Sequence, residues 1–156
     1  MQVETARLQI RPFCERDADA LHRILSDPRV MRWIEAPYTR EQTLLFLRRA
    51  GLCAPPLVYA VTEKASGELI GQLIWHPWDE SSMELGWILR RDRWGRGYAS
   101  ELTEAMLREC GRDVVLECVR EQTATKRLAE RFGFTLEEEA ALLRYRKTMA
   151  QCKMRA

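Results

Sequence analysis

Arg93-Trp94-Gly95-Arg96-Gly97-Tyr98-Ala99 is the stretch on which the reading of the fold turns. It closes an arginine-rich run, with four arginines among the seven residues Arg90 to Arg96. Before it, Met83 to Leu89 alternates like a strand. After it, Ala99, Leu102, Met106 and Cys110 form a helical stripe, with Glu104 and Arg108 as an i,i+4 pair outside. The segment therefore joins a strand to a helix N-terminus, where unpaired backbone amides and the positive end of the helix dipole suit phosphate oxygens. Glycines at 95 and 97 permit a concave nest of amides. The arginines add charge-assisted bonds.

Upstream of the turn the periodicity is that of strands. Leu57 to Glu63, a turn at Ala65-Ser66-Gly67, Leu69 to Trp75, and then Met83 to Leu89 predict an antiparallel meander. Earlier still, Leu8-Gln9-Ile10-Arg11 predicts a short strand ended by Pro12. A helix follows with Ala18, Leu21, Ile24 and Leu25 on one stripe, Asp17 as N-cap and Asp27-Pro28 as its stop. A second helix starts at Thr39, in capping-box spacing with Gln42, has Leu44, Leu45 and Leu47 on its apolar side, and stops at Gly51. Downstream, Val114-Val115-Leu116 predicts a buried strand. Ala124, Leu128 and Phe132 predict a short helix closed by Gly133, and Phe134 to Lys147 holds one or two strands. A single domain over 1–150 with a frayed tail at 151–156 is expected.

Bulk properties narrow the class. A chain of 156 residues with 46% hydrophobic content supports one well-buried core. No apolar run approaches the roughly 20 residues of a membrane span. Met1-Gln2-Val3-Glu4 lacks the features of a signal peptide, so a cytoplasmic protein without a membrane partner is expected. A net charge of +2 gives no broad field for nucleic acid. Cys14, Cys53, Cys110, Cys118 and Cys152 show no C-x-x-C spacing, and His22 and His76 are the sole histidines. No metal site is expected, and the thiols read as reduced and mostly buried.

A P-loop needs G-x-x-x-x-G-K-[ST], which is absent. A dinucleotide fingerprint needs G-x-G-x-x-G opening a βαβ unit, but position 100 is Ser100 and a meander precedes the turn. An ordinary strand–helix turn with solvated arginines is the plain alternative. Four motifs in order bear on the choice. Thr5-Ala6-Arg7-Leu8-Gln9-Ile10-Arg11-Pro12-Phe13, with Asp17-Ala18, is similar to a T-x-R-L-x-L-R-P start. Glu84-Leu85-Gly86-Trp87-Ile88-Leu89 looks like a fourth strand. Trp94 to Ala99 matches [QR]-x-x-G-x-[GA] at its fourth and sixth positions. Gln122-Thr123-Ala124-Thr125-Lys126-Arg127-Leu128-Ala129-Glu130-Arg131-Phe132-Gly133-Phe134 is similar to N-x-x-S-x-R-x-x-E-K-x-G-F. Together they resemble the GNAT superfamily of N-acetyltransferases, in its branch of ribosomal-protein N-terminal acetyltransferases.

That resemblance implies an α+β fold with a mostly antiparallel twisted mixed sheet of about six or seven strands and about four flanking helices. It implies acetyl-CoA as co-substrate, without a metal, and direct transfer to a primary amine, either a protein N-terminus or a small molecule, in a ternary complex. A monomer or homodimer would serve. Cofactor contacts are expected from Ile88, Leu89, Trp94, Gly95, Arg96, Gly97, Tyr98, Ala99, Ser100, Gln122 and Thr125, with backbone amides near Ile88 and Leu89 holding the oxyanion. Departures are Trp94 for Gln or Arg, Gln122 for Asn, Thr125 for Ser or Ala, and Ala129 where some members carry a tyrosine acid. The last keeps open a catalytically silent acyl-CoA sensor.

Within that framework Glu84 is the expected base, since strand alternation puts it on one face with Gly86 and Ile88. The plain alternative is a surface carboxylate paired with an arginine. Thr125 is expected at the thioester or thiol, or else as a helix cap. Tyr98 and Tyr145 are candidate acids, whereas His76, before Pro77, reads as a turn residue. Trp33, Glu35, Tyr38 and Trp75, with Trp78, are expected at the acceptor site, where aromatics and a carboxylate suit an ammonium group; a core role suits Trp75 equally.

Overall fold

A computed structural model describes residues 1–148; the expected frayed tail at 151–156, and Cys152 with it, lies outside the described residues. The chain forms β1 (Val3–Glu4), β2 (Leu8–Arg11), α1 (Ala18–Leu25), α2 (Pro28–Met31), α3 (Arg40–Phe46), β3 (Val58–Glu63), β4 (Leu69–Pro77), β5 (Ser82–Leu89), α4 (Tyr98–Glu109), β6 (Asp113–Cys118), α5 (Thr123–Arg131), β7 (Thr135–Glu139) and β8 (Leu143–Lys147). One sheet of eight strands runs β1-β2-β3-β4-β5-β6-β8-β7. The sheet exceeds the expected six or seven strands because a two-residue edge strand precedes β2. The strand expected fourth is therefore β5.

Every neighbouring pair is antiparallel except β5 with β6. That parallel pairing spans three rungs, Ser82↔Asp113, Met83↔Val114 and Glu84↔Val115. Beyond Glu84 the strands part. β5 stays paired with β4 as far as Leu89, and β6 stays paired with β8 as far as Cys118. A fork results, with one row of backbone groups on each arm left without a neighbouring strand.

The alternation of side chains on β3 to β5 builds a core on each face. One holds Tyr59, Val61, Leu73, Leu85 and Leu89 against Tyr98, Leu102 and Met106 of α4 and Ala129 of α5. The other holds Val58, Ala60 and Ile88 against Leu21, Ile24 and Leu25 of α1 and Leu47. Thr39 and Gln42 form the expected capping box. Asp17 occupies the expected cap position without capping α1. Its carboxylate accepts instead from Arg11 at 2.7 and 2.8 Å and from the Cys14 amide at 2.9 Å, a stronger, charge-assisted set of partners. Asp27, expected as a stop, caps α2 through the Arg29 amide. Leu45 is exposed because helix phase turns Thr43 and Leu47 inward instead. Ala124 likewise faces out while Leu128 and Ala129 are buried. The expectation of mostly buried thiols is corrected: among the described residues only Cys118 is buried, and Cys14, Cys53 and Cys110 are half-buried outside the regular elements. Among the described residues, no helix is long and apolar enough to cross a membrane.

Candidate active site

The turn after β5 is shaped by its two glycines. Gly95 and Gly97 have φ of +71° and +80°, a left-handed conformation that costs an L-residue about 1–2 kcal/mol. The Trp94 indole folds back and donates to the Leu89 carbonyl at 2.9 Å, leaving its ring half-exposed. Among the described residues, none of the amides from Gly95 to Ser100 donates to a protein acceptor. They form the open N-terminus of α4, where an anion is favoured.

The beginning of the chain braces this turn. Arg7 bonds to Oε2 of Glu101 at 2.7 Å and to the Arg96 carbonyl at 2.9 Å, and its guanidinium stacks 4.4 Å from the Tyr98 ring centre. Thr5 also donates to Glu101. The Thr5–Arg7 segment thus holds the first turn of α4 against the sheet edge.

A cleft of about 820 Å³ opens at the fork. Of the residues expected around a cofactor, Ile88, Leu89, Trp94, Gly95, Gly97, Tyr98, Ala99, Gln122 and Thr125 line it, and Trp33 joins them. Gln122 holds its own loop, accepting from the Val119 amide at 2.9 Å. Two of the expected residues stand aside. Arg96 is exposed beyond the cleft wall, and Ser100 is engaged by Arg131.

The arginines differ from expectation. Arg90 pairs with Glu68 and Asp92, Arg91 with Asp27, and Arg93 with Glu63, Glu68 and Asp92. Their charge is spent inside the protein, because acidic residues from β3 and the neighbouring loops surround the short turn at 91–93. Arg96 has no carboxylate partner among the described residues. Arg29 and Arg32, from α2 and its C-cap, line the cleft beside the already paired Arg93. The sequence reading passed over them because Asp27-Pro28 read only as a helix stop.

A second cavity of about 300 Å³ lies on the face of β5 that carries Glu84 and Ile88, and Ile34 and Ile88 border both spaces. Glu35 and Tyr38 line it as expected, joined by a 2.6 Å hydrogen bond from the Tyr38 hydroxyl. Burial and that carboxylate push the Tyr38 hydroxyl up to about 12. Glu84 also lines it, on one sheet face with Gly86 and Ile88. Its partner is not the arginine of the plain alternative but His76, whose Nε2 lies 3.0 Å from Oε2.

His76 is in β4, directly across from Glu84, rather than in the turn its position before Pro77 suggested. Strand β4 simply runs two residues further than the apolar pattern did. Its Nδ1 sits 3.0 Å from the Pro77 carbonyl and therefore carries a proton, so Nε2 is the atom that shares a proton with Glu84. Burial and the repulsion of nearby Glu117 raise the Glu84 carboxyl above its ordinary value, against the opposing pull of His76.

Four candidate side chains fall away from the reacting groups. Trp75 packs on the other sheet face against the main core, because strand alternation separates it from His76. Trp78 stacks under Arg144, 4.9 Å away. Tyr145 is buried in the core, and Ala129, at the place of the tyrosine acid, is fully buried. The Tyr98 hydroxyl is turned into Glu63 at 2.5 Å, away from any leaving group.

Comparison with known proteins closes the description. The family model for the acetyltransferase (GNAT) domain matches residues 7–135. The uncharacterized N-acetyltransferase YnaD of Bacillus subtilis (strain 168) is 28% identical over 145 residues, covering 88% of this chain and 84% of its own. A GNAT-family acetyltransferase from Bacillus anthracis superposes with a TM-score of 0.86 at 24% identity, over 96% of this chain and 99% of that one. RimL, a ribosomal L7/L12 alpha-N-protein acetyltransferase solved in complex with coenzyme A, superposes with a TM-score of 0.74 at 18% identity, over 97% and 99%.

Proposed function

This chain belongs to the GNAT acetyltransferases and is an acetyl-CoA-dependent N-acetyltransferase, and from that premise we propose that it transfers the acetyl group directly to a primary amine held in the second cavity. The observation that carries this reading is the placement of the unpaired amides of Gly95 to Ser100 at the mouth of a cleft that ends at Ile88, where the second cavity begins. The pyrophosphate of acetyl-CoA lies on those amides. Its pantetheine arm, which carries two amide groups, runs into the fork between β5 and β6 and meets backbone groups that lack a strand partner.

The thioester carbonyl then lies beside Ile88 and Leu89, where a backbone amide of β5 steadies the charge that develops on oxygen during attack. The amine arrives from the second cavity, having passed its ammonium proton through water to Glu84. Oε2 of Glu84 is committed to His76, which leaves Oε1 as the atom that accepts this proton. The raised Glu84 carboxyl suits this task better than an ordinary surface carboxylate, since its proton affinity lies closer to that of its donor. On collapse the C–S bond breaks and the thiolate leaves towards α5, where the Thr125 hydroxyl steadies it in place of the absent tyrosine until it takes up the second proton shed by the acylated nitrogen.

Acetyl-CoA at 100 times its dissociation constant should stabilise the fold by about 2.7 kcal/mol, a rise in melting temperature of roughly 5–10 °C for a chain of this size. Thiol release dependent on added amine should follow. Cofactor binding without amine-dependent thiol release would instead support a silent acyl-CoA sensor.

A further inference from the structure

The second cavity has walls that select among amines. Leu25, Met31, Phe46, Leu57 and Ile74 make its sides apolar. Each of its two carboxylates has one oxygen engaged, Glu35 by Tyr38 and Glu84 by His76. Gln72 also lines it; the residue is 1% exposed, and its Oε1 has no hydrogen-bond partner among the described residues. A buried carbonyl oxygen without a donor is costly and uncommon. Gln72 pairs in register with Ile88, so this carboxamide stands at the thioester end of the cavity.

We propose that this cavity is the acceptor subsite and takes a primary amine bearing one compact, uncharged apolar substituent, with Gln72 Oε1 receiving an N–H of the attacking amine. The inference rests on the transfer reaction proposed above. A primary amine that has lost its ammonium proton keeps two N–H groups. Donating one to Gln72 turns the nitrogen lone pair towards Ile88 and the thioester. The substituent then lies among the apolar walls, where about 300 Å³ holds a branched alkyl or an aryl group. A polyamine would bring a second ammonium among the same apolar walls, where Glu84 serves the reaction with its remaining oxygen and Glu35, exposed and already accepting from Tyr38, is the one carboxylate left to meet it. An aminoglycoside exceeds the volume.

The test measures kcat/KM for 3-methylbutylamine, 2-phenylethylamine and spermidine, together with peptides beginning in Leu or in Ser. Apolar amines should exceed spermidine by at least about tenfold. The Leu and Ser peptides distinguish a protein N-terminus from a free amine as the source of the same chemistry. Gln72→Leu should lower kcat/KM for 3-methylbutylamine about tenfold or more while leaving the acetyl-CoA-induced thermal shift unchanged. Ala50→Met, which fills the cavity, should raise KM for 2-phenylethylamine more than for ethylamine. Preference for spermidine or the Ser peptide, or a folded Gln72→Leu enzyme with unaltered kinetics, overturns the subsite while leaving the transfer reaction intact. Thiol release with none of these amines overturns both, and absence of the acetyl-CoA shift identifies the cofactor reading as the one that failed.

Discussion

The hydroxyl of Tyr98 donates to Oε1 of Glu63 across 2.5 Å, tying the first residue of α4 to the last residue of β3. Ser66 and Arg93 meet the other oxygen of the same carboxylate at 2.7 and 3.2 Å. The turn between β5 and α4 is therefore suspended from a buried charge at one end and from Leu89 at the other. Its conformation is a property of the folded chain before any ligand arrives.

Removing the Tyr98 hydroxyl should loosen that suspension. In Tyr98→Phe a buried carboxylate loses one donor, at a cost of about 1.5–3 kcal/mol, or roughly 3–12 °C in melting temperature. The hydrogen bond from Tyr98, with those of Ser66 and Arg93, lowers the Glu63 carboxyl from 4.5 to about 2. A depressed carboxyl stabilises the fold above its unfolded value, and that contribution is lost as pH falls from about 4.5 towards 2. Urea titrations across this window should show the loss in the native protein and a smaller one in Tyr98→Phe.

Gly97→Ala should injure cofactor binding more than folding. The φ of +80° makes alanine strained by about 1–2 kcal/mol. Relief of that strain moves the amides of the turn, so the acetyl-CoA dissociation constant should rise at least tenfold by calorimetry. An unchanged constant would show that these amides do not hold the phosphates.

The arginines of the turn should separate into two classes. Arg96→Ala removes the member without a carboxylate partner among the described residues; its side chain lies outside the cleft wall but can fold onto a phosphate seated on the adjacent amides, so its loss should weaken acetyl-CoA binding about tenfold. Arg91→Ala breaks an exposed pair with Asp27 and should leave binding within twofold. Equal losses from both would return the turn to a diffuse basic patch.

Glu84→Gln should reduce kcat by about 10²–10⁴ with little change in acetyl-CoA affinity. In the native enzyme the acid limb of the rate profile should lie above the ordinary glutamate value, because burial and Glu117 raise this carboxyl. The base must be ionised to work, so activity rises with pH through that limb. The limb should be missing from the residual activity of the variant.

Much of this site is legible in the sequence. Strand period, two glycines and a helical stripe located the turn, and alternation put Glu84, Gly86 and Ile88 on one face. What escaped was information carried by tertiary neighbours. The charge of Arg93 looked available because Glu63 and Glu68 lie some thirty and twenty-five residues away in sequence. His76 looked like a turn residue because its partner across the strands is invisible to local pattern. Trp75, beside it, suits the acceptor site and the core equally by local pattern, and its place on the face opposite His76 decides for the core. Gln72 gave no signal, since a single glutamine inside an apolar strand has no spacing to mark it.

The fork between β5 and β6 has a cost in the absence of its ligand. Most sheets keep their unpaired edges at the rim, where charge or short length protects them; here two such edges face each other inside the molecule. An extended segment of another chain meets the same hydrogen-bonding rows that the pantetheine arm would cover. Coenzyme A bound there would double as a guard against misassembly. The free protein should clump on storage sooner than the loaded one, and the additive of choice during purification is the cofactor itself.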